Sequence, residues 1–497
     1  MEWPVSGSRR PCLIGVAQQT IHPEAGPATE PLDSWEALAR GAAEDSGGRD
    51  VIAAIDDVNT VYSMSWVYDD APGRLAERLG LRPGGRRLSS MSGTSSQKML
   101  TEAAGRIVRG ESDLALVAGA ESLATVKKMK KAGEKPAWSH PFEGRPQMPF
   151  EDPFCPSEIA HQLLQAYVTF AVFDVARRAH LGIPAEEYLR QNAELFAPLS
   201  EVAAQNPHAW FQRVRTVEDL VSLTPDNRMV AHPYPKNMMA ILDVDMGAAL
   251  LLASEEKADA LGVPRDRRVY LRGWCNTKDP ARVAERRDLF RSVGMEEASR
   301  MSLATAGVGL DDVGYLDLYS CFPASVNYAR DALGLSPSDS RALTVTGGLP
   351  YHGGPGSNYL AHSIATLVDR LREDPGAYGM TSGVGMHMVN HAYAVYSTEP
   401  GDLPRPDEDG AQARTAAAER CLIEDRATGP ARVAAYTVVH GRAGRTFGVA
   451  VCDLPGGRRC YAKTEDDGFM QSLEADEWVG RDVQIEQGEG AVNRLLG

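Results

Sequence analysis

The decapeptide GGLPYHGGPG, Gly347 to Gly356, carries five glycines and one imidazole, His352. Glycine lets backbone N–H groups come close to a ligand, and histidine is the side chain whose charge changes nearest neutral pH. His352 is therefore a candidate proton carrier, with a structural hydrogen-bonding histidine as the plainer reading. Tyr319 heads the run Tyr319-Ser320-Cys321-Phe322. A phenol acts as general acid or base only when its pKa is depressed or a cation lies near, and otherwise it packs. Tyr351 and Tyr359 are further phenols close by in the chain. Cys321 reads as a small buried apolar residue or as a thiol lining a site. His387 and His391 have the spacing of one helical face, but with no carboxylate or third ligand at metal spacing no zinc role is expected. Five of the ten lysines fall within VKKMKKAGEK, as Lys127, Lys128, Lys130, Lys131 and Lys135. Such a run is either a solvated helix face or a cationic patch for nucleotide phosphates.

Positioning these groups takes alternating strands and helices. Leu13–Ala17 and Leu114–Gly119 read as short buried strands, and Gln97–Arg109 as a helix stopped by Gly110. That alternation predicts α/β layers. Residues 122–239 are richer in proline, aromatics and charge, and read as an insertion. Buried-strand patterns resume at Ala248–Ser254 and Val269–Trp274, followed by a largely helical Ala281–Gly307 and a strand at Tyr315–Tyr319. The glycine loop follows a β-like run, Leu343–Thr346, and precedes a helix near Tyr359–Arg372. A strand-loop is predicted at Gly379–Met388 and a strand at Ala392–Ser397. Residues 399–419 have linker composition, and from Cys421 short strands with glycine turns suggest a small, separate β-barrel-like unit.

The 497 residues call for several domains, and their composition suits large cores. A net charge of −15 argues against general binding of nucleic acid or anionic membranes. No run has the length of a spanning helix, and Met-Glu-Trp-Pro-Val does not resemble a secretory leader. Seven cysteines, an odd number without CxxC, fit a reduced, cytoplasmic chain with no structural zinc.

Taken in order, these pieces resemble a thiolase, closest to the sterol-carrier type, over nearly the whole chain. Ser92-Gly93-Thr94-Ser95-Ser96-Gln97 looks like the nucleophile loop, and Val117-Ala118-Gly119-Ala120-Glu121-Ser122 like the VAGG-type strand end. Asn206-Pro207, Thr216–Asp219, Met229–Pro233 and Asp245–Ala249 resemble the return from the family's loop domain. Tyr319–Phe322 stands at NEAF or HDCF, Gly347-Gly348 with Gly353-Gly354-Pro355 at the GG…GHP block, and Thr381–Gly385 at CxGxG. The resemblance implies a duplicated, five-layered αβαβα core. Residues 1–121 with 240–266 would form the first half, 122–239 an inserted loop domain and 267–400 the second half. A linker at 401–420 and an OB-like β domain at 421–497 would complete the chain. It also implies a CoA or acyl-CoA ligand, no permanently bound cofactor, and fatty-acid or sterol metabolism. Related thiolases dimerise; the sequence leaves the oligomeric state of this chain open.

The family's chemistry asks for a thiolate nucleophile, a second cysteine as acid/base, and histidines that lower a thiol pKa and build an oxyanion site. Here the nucleophile position falls at Gly93 or Thr94, with no cysteine between Cys12 and Cys155. The NEAF/HDCF position is Tyr319, the GHP histidine Gly354 and the second cysteine Thr381. The expectation is a thiolase-like CoA or acyl-CoA binder that is not a true thiolase. Its lysine run would hold the nucleotide, and the N–H groups of Gly353, Gly354 and Gly383 would be its oxyanion donors. Two alternatives stand beside it. One is an acyl-CoA lyase of retro-aldolase type, or an acyltransferase, using Tyr319 and His352. The other is a scaffold that recruits a protein partner through residues 421–497.

Overall fold

The computed structural model describes residues 7–24, 29–144, 147–152 and 154–497. The first five residues, on which the expectation about a leader rests, lie outside them. Among the described residues nine strands form one sheet, in the order β3-β2-β4-β7-β1-β8-β11-β10-β9. They are β1 (Pro11–Thr20), β2 (Asp57–Thr60), β3 (Gly85–Leu88), β4 (Leu114–Ser122), β7 (Asp245–Ser254), β8 (Val269–Lys278), β9 (Val313–Asp317), β10 (Tyr378–Gly385) and β11 (Asn390–Ser397). The intervening β5 (Met229–Ala231) and β6 (Tyr234–Pro235) belong elsewhere.

The strand order repeats. Outward from β1 the first half runs β7, β4, β2, β3, and outward from β8 the second runs β11, β10, β9. The halves join where β1 meets β8 at Cys12–Tyr270 and Leu13–Val269. A partner for the first half's edge strand is missing from the second half's ladder. The β-like run Leu343–Thr346 lies there, but Asp317 clips it in place of a strand. The Asp317 carboxylate accepts from the N–H groups of Val345 at 3.1 Å and Thr346 at 3.2 Å, and Leu318 N–H donates to the Leu343 carbonyl.

Side-chain alternation builds the layers. Leu114, Leu116 and Ala118 of β4 pack outward on Trp35 and Leu38 of the helix Pro31–Asp45. Ala115 and Val117 pack inward on Leu100, Ala103 and Ile107 of the helix Ser95–Val108. That inner layer is shared with Ile364, Leu367 and Val368 of the helix Tyr359–Glu373, and with Trp274 and Tyr396 of the second half. On the far side lie the helices Val293–Ala306 and Pro323–Leu333. Helix, sheet, helix, sheet and helix make five layers. The predicted helical stretch at 281–307 is shorter than expected, because Ser292 caps a helix that starts only at Val293.

The remaining strands are β12 (Leu422–Ile423), β13 (Gly429–His440), β14 (Arg445–Leu454), β15 (Arg458–Thr464), β16 (Asp482–Gln487) and β17 (Asn493–Leu496). They form a second sheet, which β5 and β6 extend through a contact of Ala231 with Val439. The tail is docked rather than free-standing: the Tyr461 hydroxyl donates to Glu158, and Asn493 N–H donates to His161. The stretch of linker composition contains a helix, Glu408–Ala416. It supplies what β8 lacks beyond its short contact with β1. Glu408 accepts from Asn276 N–H at 2.8 Å, and the Gln412 amide accepts from Lys278 N–H and donates to its carbonyl. Side chains thus cap an open sheet edge.

Candidate functional site

Tyr319 lies just beyond β9, its N–H held by the Ser382 hydroxyl at 3.0 Å. Its ring meets Tyr359 edge-on, with centroids 5.5 Å apart. The phenol end abuts Gly93: a Cβ built there would lie 2.4 Å from the Tyr319 hydroxyl oxygen and 2.1 Å from the Val384 carbonyl oxygen. No side chain fits at position 93 in this packing. Burial pushes the Tyr319 phenol up, and the Cys321 thiol beside it adds to the shift. Near neutral pH it is a hydrogen-bond donor and not a base. Burial likewise pushes the Cys321 thiol up to about 12, so it is no thiolate.

Thr381 and Gly383 of β10 reach the same place. The Thr381 hydroxyl donates to the Gln97 amide oxygen at 2.9 Å, which also accepts from Tyr396. A Cβ at Gly383 would lie 3.4 Å from the Thr94 methyl and 2.4 Å from Leu360. Thr94 itself shares a hydrogen bond with Ser92, 2.8 Å between hydroxyl oxygens. Gly93, Thr94, Tyr319, Thr381 and Gly383, far apart in sequence, therefore converge on the N-terminal end of the helix Ser95–Val108.

The glycine loop is used mainly for packing. Gly347 and Gly353 have φ of +109° and +111°, which L side chains rarely adopt. A Cβ at Gly347 would strike Ala203 of the inserted helix Ala185–Gln205, and one at Gly353 would strike Met246. Its amides are largely spent internally: Gly347 N–H on Thr344, Gly348 N–H on Thr346, His352 N–H on Gly348. Gly354 N–H, expected as an oxyanion donor, goes to the Ile241 carbonyl at 2.8 Å. The start of the following helix, at Ser357 and Asn358, is also tied down. Asn358 N–H bonds the Pro355 carbonyl, the Asn358 side chain bonds the Gly119 carbonyl, and Ser357 accepts from Ser92 N–H.

His352 is fully buried. Its Nδ1 lies 3.3 Å from the Gly353 carbonyl, and its Nε2 has no partner among the described residues. Its ring packs edge-on against Tyr359 at 5.9 Å and His362 at 5.1 Å. Burial pushes it down to about 4, so it is neutral. Tyr359 is thus the ring common to Tyr319 and His352, and its hydroxyl is engaged by Asp317 and Thr346. Asp317, two residues before Tyr319, is the hub that sequence reasoning missed.

The lysine run forms the helix Leu123–Lys131 and its sequel, and all five lysines are exposed. Lys127 pairs with Asp243 and Lys128 donates to the Pro23 carbonyl. Asp245 anchors the helix through Thr125 N–H and hydroxyl. His387 and His391 do not share a helix. His387 sits in the turn between β10 and β11, bonded to Thr169, whereas His391 is on β11 and bonded to Asp279 at 3.0 Å.

No family model matches the chain. A monomeric SCP2-thiolase-like protein type 1 from Mycobacterium smegmatis has 34% sequence identity, a TM-score of 0.87, and coverage of 98% of this chain and 99% of that one. An Ltp2-ChsH2(DUF35) aldolase is similar in fold alone, at 16% identity and a TM-score of 0.59 over 79% of this chain and 98% of that one. The 3-ketoacyl-CoA thiolase of Pectobacterium atrosepticum is 32% identical over 165 residues, 29% of this chain. That match spans 36% of the thiolase's own length.

Proposed function

Because the chain belongs to the SCP2-thiolase-like proteins of the thiolase superfamily, we propose that it binds a CoA thioester without performing thiolysis or Claisen condensation. One observation carries the second part: the Tyr319 phenol and the Val384 carbonyl fill the space that a side chain at Gly93 would need. Covalent catalysis at that position requires a nucleophile with an adjacent base. Thr94 is hydrogen-bonded to Ser92, and the buried His352 imidazole is a weak base at a pKa of about 4.

The first part rests on family membership and on the exposed lysine helix. Lys130, Lys131 and Lys135 project charge into solvent beside the end of β4, where phosphates of a nucleotide can be met by several ammonium groups at once. Titration calorimetry with CoA and acetoacetyl-CoA is expected to give saturable heat, while a thiolysis assay gives no turnover. Replacing the five lysines by alanine should weaken CoA roughly tenfold, since exposed charges contribute a few tenths of a kcal/mol each, and more at low salt. Absence of heat, or thiolysis at a rate far above background, overturns the reading.

A lyase is the second reading, on one observation: His352 is neutral and its Nε2 is free to accept a proton among the described residues. Product from a β-hydroxyacyl-CoA, lost in His352→Gln while CoA binding persists, would establish it. Equal turnover in the variant would remove His352 from the chemistry.

A further inference from the structure

The C-terminal unit grips one short segment of the second half, residues 283–287. The segment starts in a single helical turn, Val283–Glu285, and adds no strand to the nine-stranded sheet. Several of its backbone groups are met from the tail instead. Ala284 N–H donates to the Tyr461 hydroxyl at 2.9 Å, and the Glu285 carbonyl accepts from Cys421 N–H at 2.9 Å. Arg286 also bridges Arg420, at the entry to the tail. The Arg459 guanidinium of β15 donates to the Arg286 carbonyl and, at 3.0 Å, to the Arg287 carbonyl. Arg459 is itself buried, and its Nε is aimed by Asp453, its cross-strand partner, at 2.6 Å. A buried guanidinium is retained where its donors are used, and its planar fork fixes what it holds.

The side chain of Arg286 runs the other way, into the core, and is buried. Its Nη2 donates to the carbonyls of His387 at 3.1 Å and Met388 at 2.7 Å, and its Nε to that of Pro280 at 3.2 Å. The first two carbonyls lie in the turn from β10 to β11, where Met386 and Met388 have φ of +53° and +55°. Two residues with side chains in the left-handed region of one turn persist only where the surroundings hold them there. The other holds are the Thr169 contact of His387 at 2.7 Å, Val389 N–H on the Gly385 carbonyl at 3.1 Å and Asp279 N–H on the Val389 carbonyl at 2.9 Å. This turn opens directly onto the candidate site. Val384, whose carbonyl fills the space beside Gly93, and Gly385, where a Cβ would lie 1.9 Å from the Ser92 hydroxyl oxygen, are the last two residues of β10.

We propose that the C-terminal unit is a positioning element for the candidate site. Arg459 holds the Arg286 backbone, Arg286 holds the β10–β11 turn, and the turn sets the end of β10 against the loop Ser92–Thr94. Arg459 and Arg286 are positioning residues that act through the turn. The tail thus has an internal task, distinct from recruiting a partner. The inference takes its ligand from the CoA-thioester reading and rests on that reading to this extent; its packing test does not.

A double-mutant cycle on the full chain tests it. Urea midpoints are measured for the wild type, Gly93→Ala, Arg459→Met and the pair. Effects at independent sites add, and effects at coupled sites do not. If Arg459 holds the end of β10, the midpoint lost to Gly93→Ala should fall, in the Arg459→Met background, to about half or less of its loss in the wild type. Leu473→Ala is the control. It opens the tail's own core, where Leu473 is fully buried, so Gly93→Ala should keep its full cost there. Arg459→Lys keeps the charge without the fork; it should give an intermediate relief, and it replaces Arg459→Met if that chain does not fold. Gly385→Ala replaces Gly93→Ala on the same ground. In calorimetry the ratio of acetoacetyl-CoA to CoA affinity should change by about fivefold or more in Arg459→Met. It should stay at the wild-type value in Leu473→Ala, because a general loss of stability lowers both affinities alike. Additive midpoints, equal relief in Leu473→Ala, or an unchanged ratio in a chain that binds both ligands overturns the assignment. Failure of the wild type to bind CoA overturns the thioester reading alone, and the midpoints still decide whether the tail positions the site.

Discussion

Gly93→Ala is expected to destabilise the chain by about 3 kcal/mol or more, at the high end for inserting one methyl into a packed interior. The methyl would lie 2.1 Å from the Val384 carbonyl oxygen, 2.4 Å from the Tyr319 hydroxyl oxygen and 2.7 Å from the ring carbon that bears it. Two of these atoms belong to a side chain that can be shortened, but the nearest belongs to the backbone of β10. Tyr319→Phe should therefore rescue only part of the loss, and even Tyr319→Val in the Gly93→Ala background should leave the carbonyl contact. Gly93→Cys follows the same rule with a larger atom. It should lose stability and still show no thiolysis, because placing sulfur there requires β10 to shift. Urea midpoints for the four variants, read beside a thiolysis assay, check this. A Gly93→Cys protein with wild-type stability would show that the space is not filled as described, and the argument for a non-thiolytic protein would lose its main support.

Sequence patterns gave the core elements because local signals and tertiary demands agree there. The helix Ser95–Val108 ends where Gly110 adopts a φ of +73°, and β4 alternates cleanly between two buried faces. The order of motifs was enough to gather Gly93, Tyr319 and Thr381 into one place. What they do to one another was not legible, because the approach of the Tyr319 hydroxyl to Gly93 is set by the packing of two halves more than two hundred residues apart. The run Leu343–Thr346 has strand composition, yet its amides go to the single carboxylate of Asp317. No period in the sequence marks a carboxylate that will replace a strand. Glu408 and Gln412 sit in a stretch that reads as polar linker, and their role depends on an open edge of β8 created elsewhere.

The second large effect is a dependence of stability on pH that can be traced to single imidazoles. Burial pushes His352 and His232 down to about 4 and His387 to about 3. In the unfolded chain each titrates near 6.5. Between pH 6.5 and about 4 the unfolded state therefore binds more protons than the folded one. Stability from these groups is complete above pH 6.5 and is lost as pH falls through that window. At pH 5 each contributes a loss of about 2 kcal/mol relative to pH 7.5, at roughly 1.4 kcal/mol per unit. Buried carboxylates such as Asp174, raised to about 6 by burial, act in the opposite sense over much of the same range, so the whole-chain slope mixes the two. Substitution separates them. His232 lies parallel to Tyr436 with its Nε2 unpartnered among the described residues, where His352 likewise has only a long contact on Nδ1. Phenylalanine keeps the ring in each case and removes the titration. His232→Phe and His352→Phe should thus each flatten the fall in urea midpoint between pH 7.5 and 5 by the equivalent of about 2 kcal/mol, and the double variant by about twice that if the sites are independent. Parallel pH profiles in variant and wild type would mean that these imidazoles are reached by protons in the folded state. In that event His352 would be an accessible base, and the lyase reading would displace the binder.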